Sequence, residues 1–541
     1  MSDFSKMTER YFRGDLEISP LWGSDIGLEE YDDLMPAGGM ADVEASEEHD
    51  RNFLREVRSF SDDMLTDDEK TDKKLLEYML ELGKFRTDEL ELHRKYPRAA
   101  DEAGNALYTI LFRDSTPVEK RLSSIMKKMK RIPLFLENAK ELTDKPVWIW
   151  TEMGIESCRR MRGFIDFIEE FGKSIVKDPE TVSELRIDSI NVKNAFKSYE
   201  QWLLDKLPAA RRSFTMSEDV YDELLRKRLF PYTSKEILEI GEDYVRKIQD
   251  EMKRTAALIN PTASVKEVLA KIKKGHAESF EQIMKDCRRI MSEAREFVVK
   301  EDFATLPETE TLQVEETPIF MRHLIPFAAY SPPGKFDKDQ KGIYMMTPPE
   351  GNEEMLTEFC PEDLVSTSVH EAYPGHHLQL TCANMNPSIA RIYAHATEFV
   401  EGWAHYCEDA TAEAGFYNTP SAMLIRLKDM HWRAWRIIID VKLATGKMSF
   451  DKAVEHLAED AGLEYTGALA EVKRYTYTPG YQLSYLMGKH MIKDLLDRTM
   501  RKYDCTRKEV HDAMLYAGSL PIAIQEEVIS RKFAGRERNA R

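Results

Sequence analysis

"SVHEAYPGHHLQL" (residues 368–380) decides how the second half of the chain is read. His370-Glu371 is followed by His376 and His377, a stretched version of the zinc-hydrolase pattern H-E-x-x-H, in which both His lie one helical turn apart and the Glu serves as base. Pro374 stands where the second His belongs. In a continuous helix, position i+6 points about 120° away from i, and i+7 returns to its face about 10 Å further along the axis. Neither later His could then share an ion with His370. Pro374, however, lacks the N–H that would bond to the carbonyl of His370 and disfavours continuous helix, while Gly375 accepts backbone angles closed to other residues. Tyr-Pro-Gly is therefore read as a bulge that absorbs two extra residues and returns a later His to a metal: His376 on this reading, with His377 as the alternative. Glu371 would then lie beside a metal-bound water, placed to take its proton as general base.

Five of the 13 His (370, 376, 377, 395, 405) fall between residues 370 and 405, where an even spread would put roughly one; clustered His are a mark of metal sites. A catalytic zinc takes three protein ligands, His nitrogen or carboxylate oxygen, plus a water, so one Zn2+ is the expected cofactor, with Mn, Fe or Co as chemical alternatives. The third ligand is sought on a second helix. "ATEFVEGWAHYCEDA" (396–410) offers Glu401, with His405 and Glu408 on the same face and Glu398 one turn before. Alone, such a stripe reads equally as a solvated face. Beside the His-Glu motif it is read as ligand Glu401, supporting acids Glu408 and Glu398, and a substrate contact at His405; His377, if not a ligand, is a further substrate contact. The 31 residues from His370 to Glu401 suit two helices joined by the "NMNPS" turn at 384–388.

The 541 residues, 42% hydrophobic and 10% aromatic, can bury a large core. Asp plus Glu exceed Lys plus Arg by 96 to 77, and the formal charge of −19 would repel phosphate backbones, which argues against nucleic acid as a partner. No leader-like start and no run of about 18 apolar residues is present, so a cytoplasmic protein without membrane partner is expected. Six single Cys (158, 287, 360, 382, 407, 505) without C-x-x-C suggest reduced thiols rather than a disulfide framework or thiolate metal site.

Helix signals dominate the first 300 residues, with capping boxes at Thr116/Glu119, Thr233/Glu236 and Ser264/Glu267. "SKEILEIGEDYVRKIQDEMKRTAALI" (234–259) repeats apolar residues at three and four and stops before Asn260-Pro261, which predicts an amphipathic helix. Between 311 and 347 the stretches "TLQVEETPIF", "PFAAYSPPG" and "GIYMMTPPEG" gather β-branched and aromatic residues between breakers and predict two or three short strands. The expected fold is mainly α and two-lobed: a helical N-terminal lobe over 1–305, and a catalytic lobe over 306–541 with the strands (311–347) and metal-binding helices (361–412), packed as one unit. The strand at Gly342–Thr347 is read equally as structural or as an edge that pairs with an extended substrate, bringing Tyr344 to it.

"HEAYPGHHLQ" followed by "EGWAHYCE" resembles the domain-of-unknown-function 885 family, whose members share H-E-x-x-P-G-H-H and E-G-W-A. That family is similar to zinc peptidases with a Glu third ligand (the gluzincin type), among them the thimet oligopeptidase, angiotensin-converting enzyme and Taq carboxypeptidase families, which are mostly helical, zincin-like and built around a deep channel. Their motif H-E-x-G-H aligns with "GHHLQ" and favours His376; their downstream Glu corresponds to Glu401. "RYTYTPGYQLSYLMG" (474–488) resembles their Tyr-rich segment, in which tyrosines face the metal and a phenol can donate to the tetrahedral oxyanion. Tyr485 best matches that position, with Tyr481 and Tyr477 as alternatives, and the Tyr/Leu alternation could equally be core packing. Arg474 either binds a substrate carboxylate or pairs with an acid. One departure stands out: many members carry a His about four residues beyond the Asp of "RIIIDVKLATG" (436–446), where this chain has Ala444, so specificity carries over less securely. The motifs span roughly residues 310–490. The resemblance implies a zinc metallopeptidase for short peptides, with exo- or endo-cleavage and oligomeric state left open. Two other readings are a metal-dependent hydrolase or lyase of a non-peptide amide, and a helical metal-binding protein without turnover.

Overall fold

The computed structural model describes residues 2–113, 116–317, 322, 328–349, 356 and 359–538. Helices dominate, and the chain divides into two compact units: Met1–Phe214 with Pro333–Asp339, and Thr215–Pro332 with Gln340–Arg541. In the first, the long helices Val118–Leu142, Trp148–Ile175 and Pro179–Lys206 pack together. Leu122, Ile125, Met129 and Ile132 recur at helical spacing and are buried, as are Phe164, Ile165 and Ile168 on the next helix and Val192, Phe196 and Leu203 on the third.

The division falls between Phe214 and Thr215, earlier than the 305/306 boundary that the change of composition suggests. Two helices upstream of the strands account for the difference. α1 (Ser234–Ile259) and α2 (Phe280–Lys300) bury Ile237, Ile248, Ile290 and Met291 in the same apolar core as Trp403, Ile437 and Leu486 further along the chain. Gly241 of α1 is pressed so closely that a β-carbon there would stand 2.8 Å from Ile437.

Of the three capping boxes read from the sequence, two form. Thr233/Glu236 and Ser264/Glu267 both close reciprocal boxes. Thr116/Glu119 does not: Pro117 is the N-cap of Val118–Leu142, which puts Thr116 one residue too early, and its hydroxyl donates to Glu29 at 3.0 Å instead.

Three strands form one sheet in the order β1-β3-β2: β1 (Glu310–Glu316) lies parallel to β3 (Gln340–Met346), and β2 (Ala328–Ser331) antiparallel to it. Parts of the quoted strand stretches, at 318–320, 326–327 and 350–351, lie outside the described residues. β3 is hydrogen-bonded on both sides, so it has no free edge for a substrate strand, and Tyr344, 2% exposed, is part of the core. Both observations correct the expectation of an edge strand at Gly342–Thr347; the strand beside the site described below is β2. Among the described residues no helix is long and apolar enough to cross a membrane. All six Cys are free and buried.

Candidate metal centre

The motif is a full break between two helices rather than a bulge within one: α3 (Pro361–Glu371) ends and α4 (His376–Asn384) begins after Gly375. The Tyr373–Pro374 peptide bond is cis. The Gly375 N–H donates to the Val369 carbonyl at 3.0 Å. A β-carbon at 375 would stand 1.9 Å from the carbonyl oxygen of His370, so the requirement for Gly comes from close backbone approach; its φ of −71° is ordinary. α5 (Thr397–Glu413) holds the break in place, because Trp403 Nε1, on a fully buried side chain, donates to the Pro374 carbonyl at 2.8 Å. Trp403→Phe removes that donor and leaves the oxygen only the weak Cys407 thiol at 3.6 Å. A loss of about 1–3 kcal/mol is expected, seen as a lower denaturant midpoint at unchanged slope.

The break swings His376 beside His370, with ring centroids 4.7 Å apart and planes at 88°. From α5, Glu401 Oε2 stands 3.4 Å from His376 Nε2 and 3.8 Å from His370 Nε2. A tetrahedral ion with bonds of about 2.1 Å separates neighbouring ligand atoms by about 3.4 Å, so these three groups have the spacing of a ligand set. His370, Glu371 and His376 also offer ligand atoms within 4.8 Å of one another. Two carboxylates, Glu371 and Glu401, thus stand within reach of the two imidazoles.

The far side of His370 is equally specified. Its Nδ1 lies 2.8 Å from Glu408 Oε1, whose other oxygen is 3.1 Å from His405 Nδ1. A carboxylate on the second ring nitrogen fixes the tautomer and orientation of a ligating imidazole. Burial opposes charge on His370, yet Glu401 and Glu408 outweigh it and raise its pKa to about 10. Burial likewise opposes charge on Glu401, but His370 and His376 hold it well below the carboxylate range. His405 is driven the other way: burial lowers its pKa to about 4. His376 Nδ1 is buried without a hydrogen-bond partner.

The tyrosine segment arrives through two devices. On α6 (Pro420–Ala444), buried Asp440 accepts the backbone N–H groups of Gly480 (2.7 Å) and Gln482 (2.8 Å) and the hydroxyl of Tyr221 (3.0 Å); burial pushes its carboxyl up to about 6. These bonds fix the loop between α7 (Tyr465–Tyr475) and α8 (Ser484–Lys502). Then α5 and α8 meet backbone to backbone, since a β-carbon at Gly488 would stand 2.0 Å from the Glu398 carbonyl and one at Gly402 2.5 Å from the Gly488 carbonyl carbon. As a result Tyr481 donates to Glu401 Oε1 at 2.8 Å, and Tyr485 lines the same cavity as His370, Glu371, His376 and Glu401. This cavity, about 480 Å³, lies within the roughly 300–1,000 Å³ range of small-molecule sites. A larger one of about 870 Å³ lies in the first unit, but the His/Glu cluster that could hold a metal, among the described residues, is in the second.

Several expected residues lie elsewhere. His377 is fully buried, with Nδ1 2.9 Å from the Tyr330 hydroxyl and Nε2 2.9 Å from Glu310, so neither nitrogen is left for an ion or a substrate. Glu310, on β1, also pairs with Arg295 at 2.9 Å and accepts from Tyr373, which ties the sheet to the motif. His405 is closed off beside Glu408 and does not line the cavity. Glu398 is committed to a buried pair with Arg228 at 2.8 Å. Tyr477 does not line the cavity. Arg474 takes its alternative reading, donating to Glu471 at 2.8 Å.

Glu471 also receives Arg436 at 2.9 Å and the Tyr475 hydroxyl at 2.7 Å. Burial opposes its charge, but Arg436 and Arg474 prevail and lower its pKa from the ordinary 4.5 to about 2. A carboxyl depressed by folding stabilises fully above its unfolded pKa and loses that contribution as the pH falls through its folded pKa. The stability difference between the wild type and Glu471→Gln is therefore expected to be constant above pH 4.5 and to shrink toward pH 2, measured by urea unfolding across that range.

No curated protein matches the chain. Among solved structures, a candidate lipoprotein of unknown function from Shewanella oneidensis shares the fold at 21% identity and a TM-score of 0.81, with 98% of this chain and 100% of that one covered. A candidate lipoprotein from Colwellia psychrerythraea does so at 17% identity and a TM-score of 0.86, with the same coverage. The family described as bacterial proteins of unknown function, DUF885, matches residues 20–529, and the chain belongs to that family.

Proposed function

We propose that the chain is a zinc-dependent hydrolase of peptide bonds in short peptides, a gluzincin-type metallopeptidase on a zincin-like fold. The observation that carries this reading is the convergence of Glu401 Oε2 on His370 and His376 at ligand spacing, with Glu371 next in sequence to the first imidazole. His370, His376 and Glu401 would hold the ion; when bound, zinc supplies a Lewis acid that polarises a carbonyl and acidifies water.

The remaining chemistry belongs to side chains of this protein. Glu371 takes a proton from the water whose oxygen bonds to the scissile carbonyl carbon, and returns it to the amide nitrogen as the C–N bond breaks, giving a carboxylate and an amine. Tyr485 faces the cavity and donates toward the oxygen on which negative charge develops. Tyr481 keeps Glu401 oriented through its 2.8 Å hydrogen bond. Glu408 performs the same service for His370.

The test is a mixed peptide library incubated with zinc-replete protein, the products identified by mass spectrometry. New termini that disappear with a chelator and return with zinc support the reading. Stoichiometric zinc with no cleaved peptide would instead favour a non-peptide amide substrate or a metal-binding protein without turnover.

A further inference from the structure

Two arginines line the cavity, and they differ in what they are bound to. Arg436 is fully engaged: Nε donates to Tyr475 and Nη2 to Glu471, both at 2.9 Å, and its guanidinium stacks on the rings of Trp432 (4.0 Å) and Tyr485 (4.5 Å). Arg433, one turn earlier on α6, is not. Its Nη1 donates to the Asp429 backbone carbonyl at 3.2 Å. Its nearest carboxylates, Glu408 at 3.9 Å and Asp429 at 4.0 Å, stand beyond hydrogen-bond reach. Those acids also have other partners: Glu408 faces His370 and His405, and Asp429 lies 3.4 Å from Lys428. Arg433 is thus a cation with its side chain only 13% exposed, in the wall of a cavity, with donors in excess of acceptors. The two carboxylates and the Trp432 ring, 5.5 Å from its guanidinium, offset its charge, but its buried Nε has no acceptor; a buried donor without a partner is costly, and a planar guanidinium suits a carboxylate.

Its place relative to the imidazoles sets the length of what it could hold. The Glu408 oxygen that is 3.9 Å from Arg433 Nη2 is also 2.8 Å from His370 Nδ1. Only a carboxylate and one ring separate the guanidinium from the candidate ligand atoms, a span of no more than about three residues of extended chain.

We propose that Arg433 anchors the free α-carboxylate of the substrate, so that cleavage falls one to three residues from a peptide's C-terminus. This rests on the peptidase reading above and assigns to Arg433 the role that the sequence offered to Arg474. Blocked or amidated ends, and bonds far inside a long chain, are then poor substrates.

The test uses peptides identical except for a C-terminal carboxylate or amide. Zinc-replete protein is assayed for product positions and kcat/KM, and the Glu371→Gln variant for binding by calorimetry. The free acid is expected to bind and react at least about 10-fold better than the amide, as a charge-assisted bidentate contact allows. Arg433→Gln should bring the acid down to the level of the amide, and Arg433→Lys should recover part of the difference. Equal handling of acid and amide by the wild-type protein overturns the proposal without any variant having to fold. So does a preference that survives in Arg433→Gln, or a variant that loses zinc and both peptides alike, which would make Arg433 a support for Glu408 only. If peptides are cut at internal bonds regardless of their ends, the anchor falls and the peptidase reading stands; if neither peptide binds or reacts while zinc is held, both fall.

Discussion

Glu371→Gln is expected to retain bound zinc and to lose peptide turnover by roughly 10²–10⁴-fold, the contribution of a positioned general base. The amide has the shape of the carboxylate and can still hydrogen-bond to water, but it cannot accept the proton. The variant also separates the two acids near the imidazoles. Glu401 Oε2 is 3.4 and 3.8 Å from the two Nε2 atoms and Glu371 stands in the same cluster; the proposed assignment makes the first a ligand and the second the base. Glu401→Gln should therefore weaken zinc where Glu371→Gln does not. Metal content by plasma mass spectrometry and turnover on defined peptides check both. Zinc released by Glu371→Gln would make Glu371 a ligand, and unchanged turnover would remove it as base.

Replacing the adjacent histidines singly should split two properties. His376→Ala is expected to weaken zinc by more than the roughly 10–100-fold that loss of an outer partner costs, because Nε2 faces Glu401. His377→Ala should leave zinc affinity close to that of the wild type and destabilise the fold by about 1–3 kcal/mol, since Glu310 and Tyr330 would each lose a buried partner. Competition with a chromophoric chelator reads the first effect and denaturant unfolding the second. The reverse pattern would mean that His377, not His376, holds the ion.

Local chemistry made much of this legible in the sequence. The Thr233/Glu236 box and the three-four spacing of 234–259 give a helix with those bounds, and Pro374-Gly375 announces a break between His370 and His376. What local pattern does not carry is who meets whom across the chain. Strand composition located the sheet but not its order, because β3 acquires its second neighbour from a parallel strand thirty residues away. Glu398 and Glu401 share a helix face by spacing, yet Arg228, some 170 positions earlier, claims the former. The meeting of Glu310 with His377, and of Arg433 with the cavity, escapes local pattern for the same reason. Asp440 left a clue: a lone acid inside the apolar run "RIIIDV" must find donors once buried, and it finds them in the tyrosine loop.

The seam between α5 and α8 has a consequence for how this cavity can change over time. With glycines on both faces at 402 and 488, nothing can be trimmed or enlarged there without prising the main chains apart, so the spacing of Glu401 from Tyr481 is frozen into the scaffold. The part of the wall on α6 is instead built from side chains such as Trp432 and Arg433. On the proposed peptidase reading, divergence in substrate choice within this family is expected to accumulate along α6, with the Glu401–Tyr481 corner left as it is.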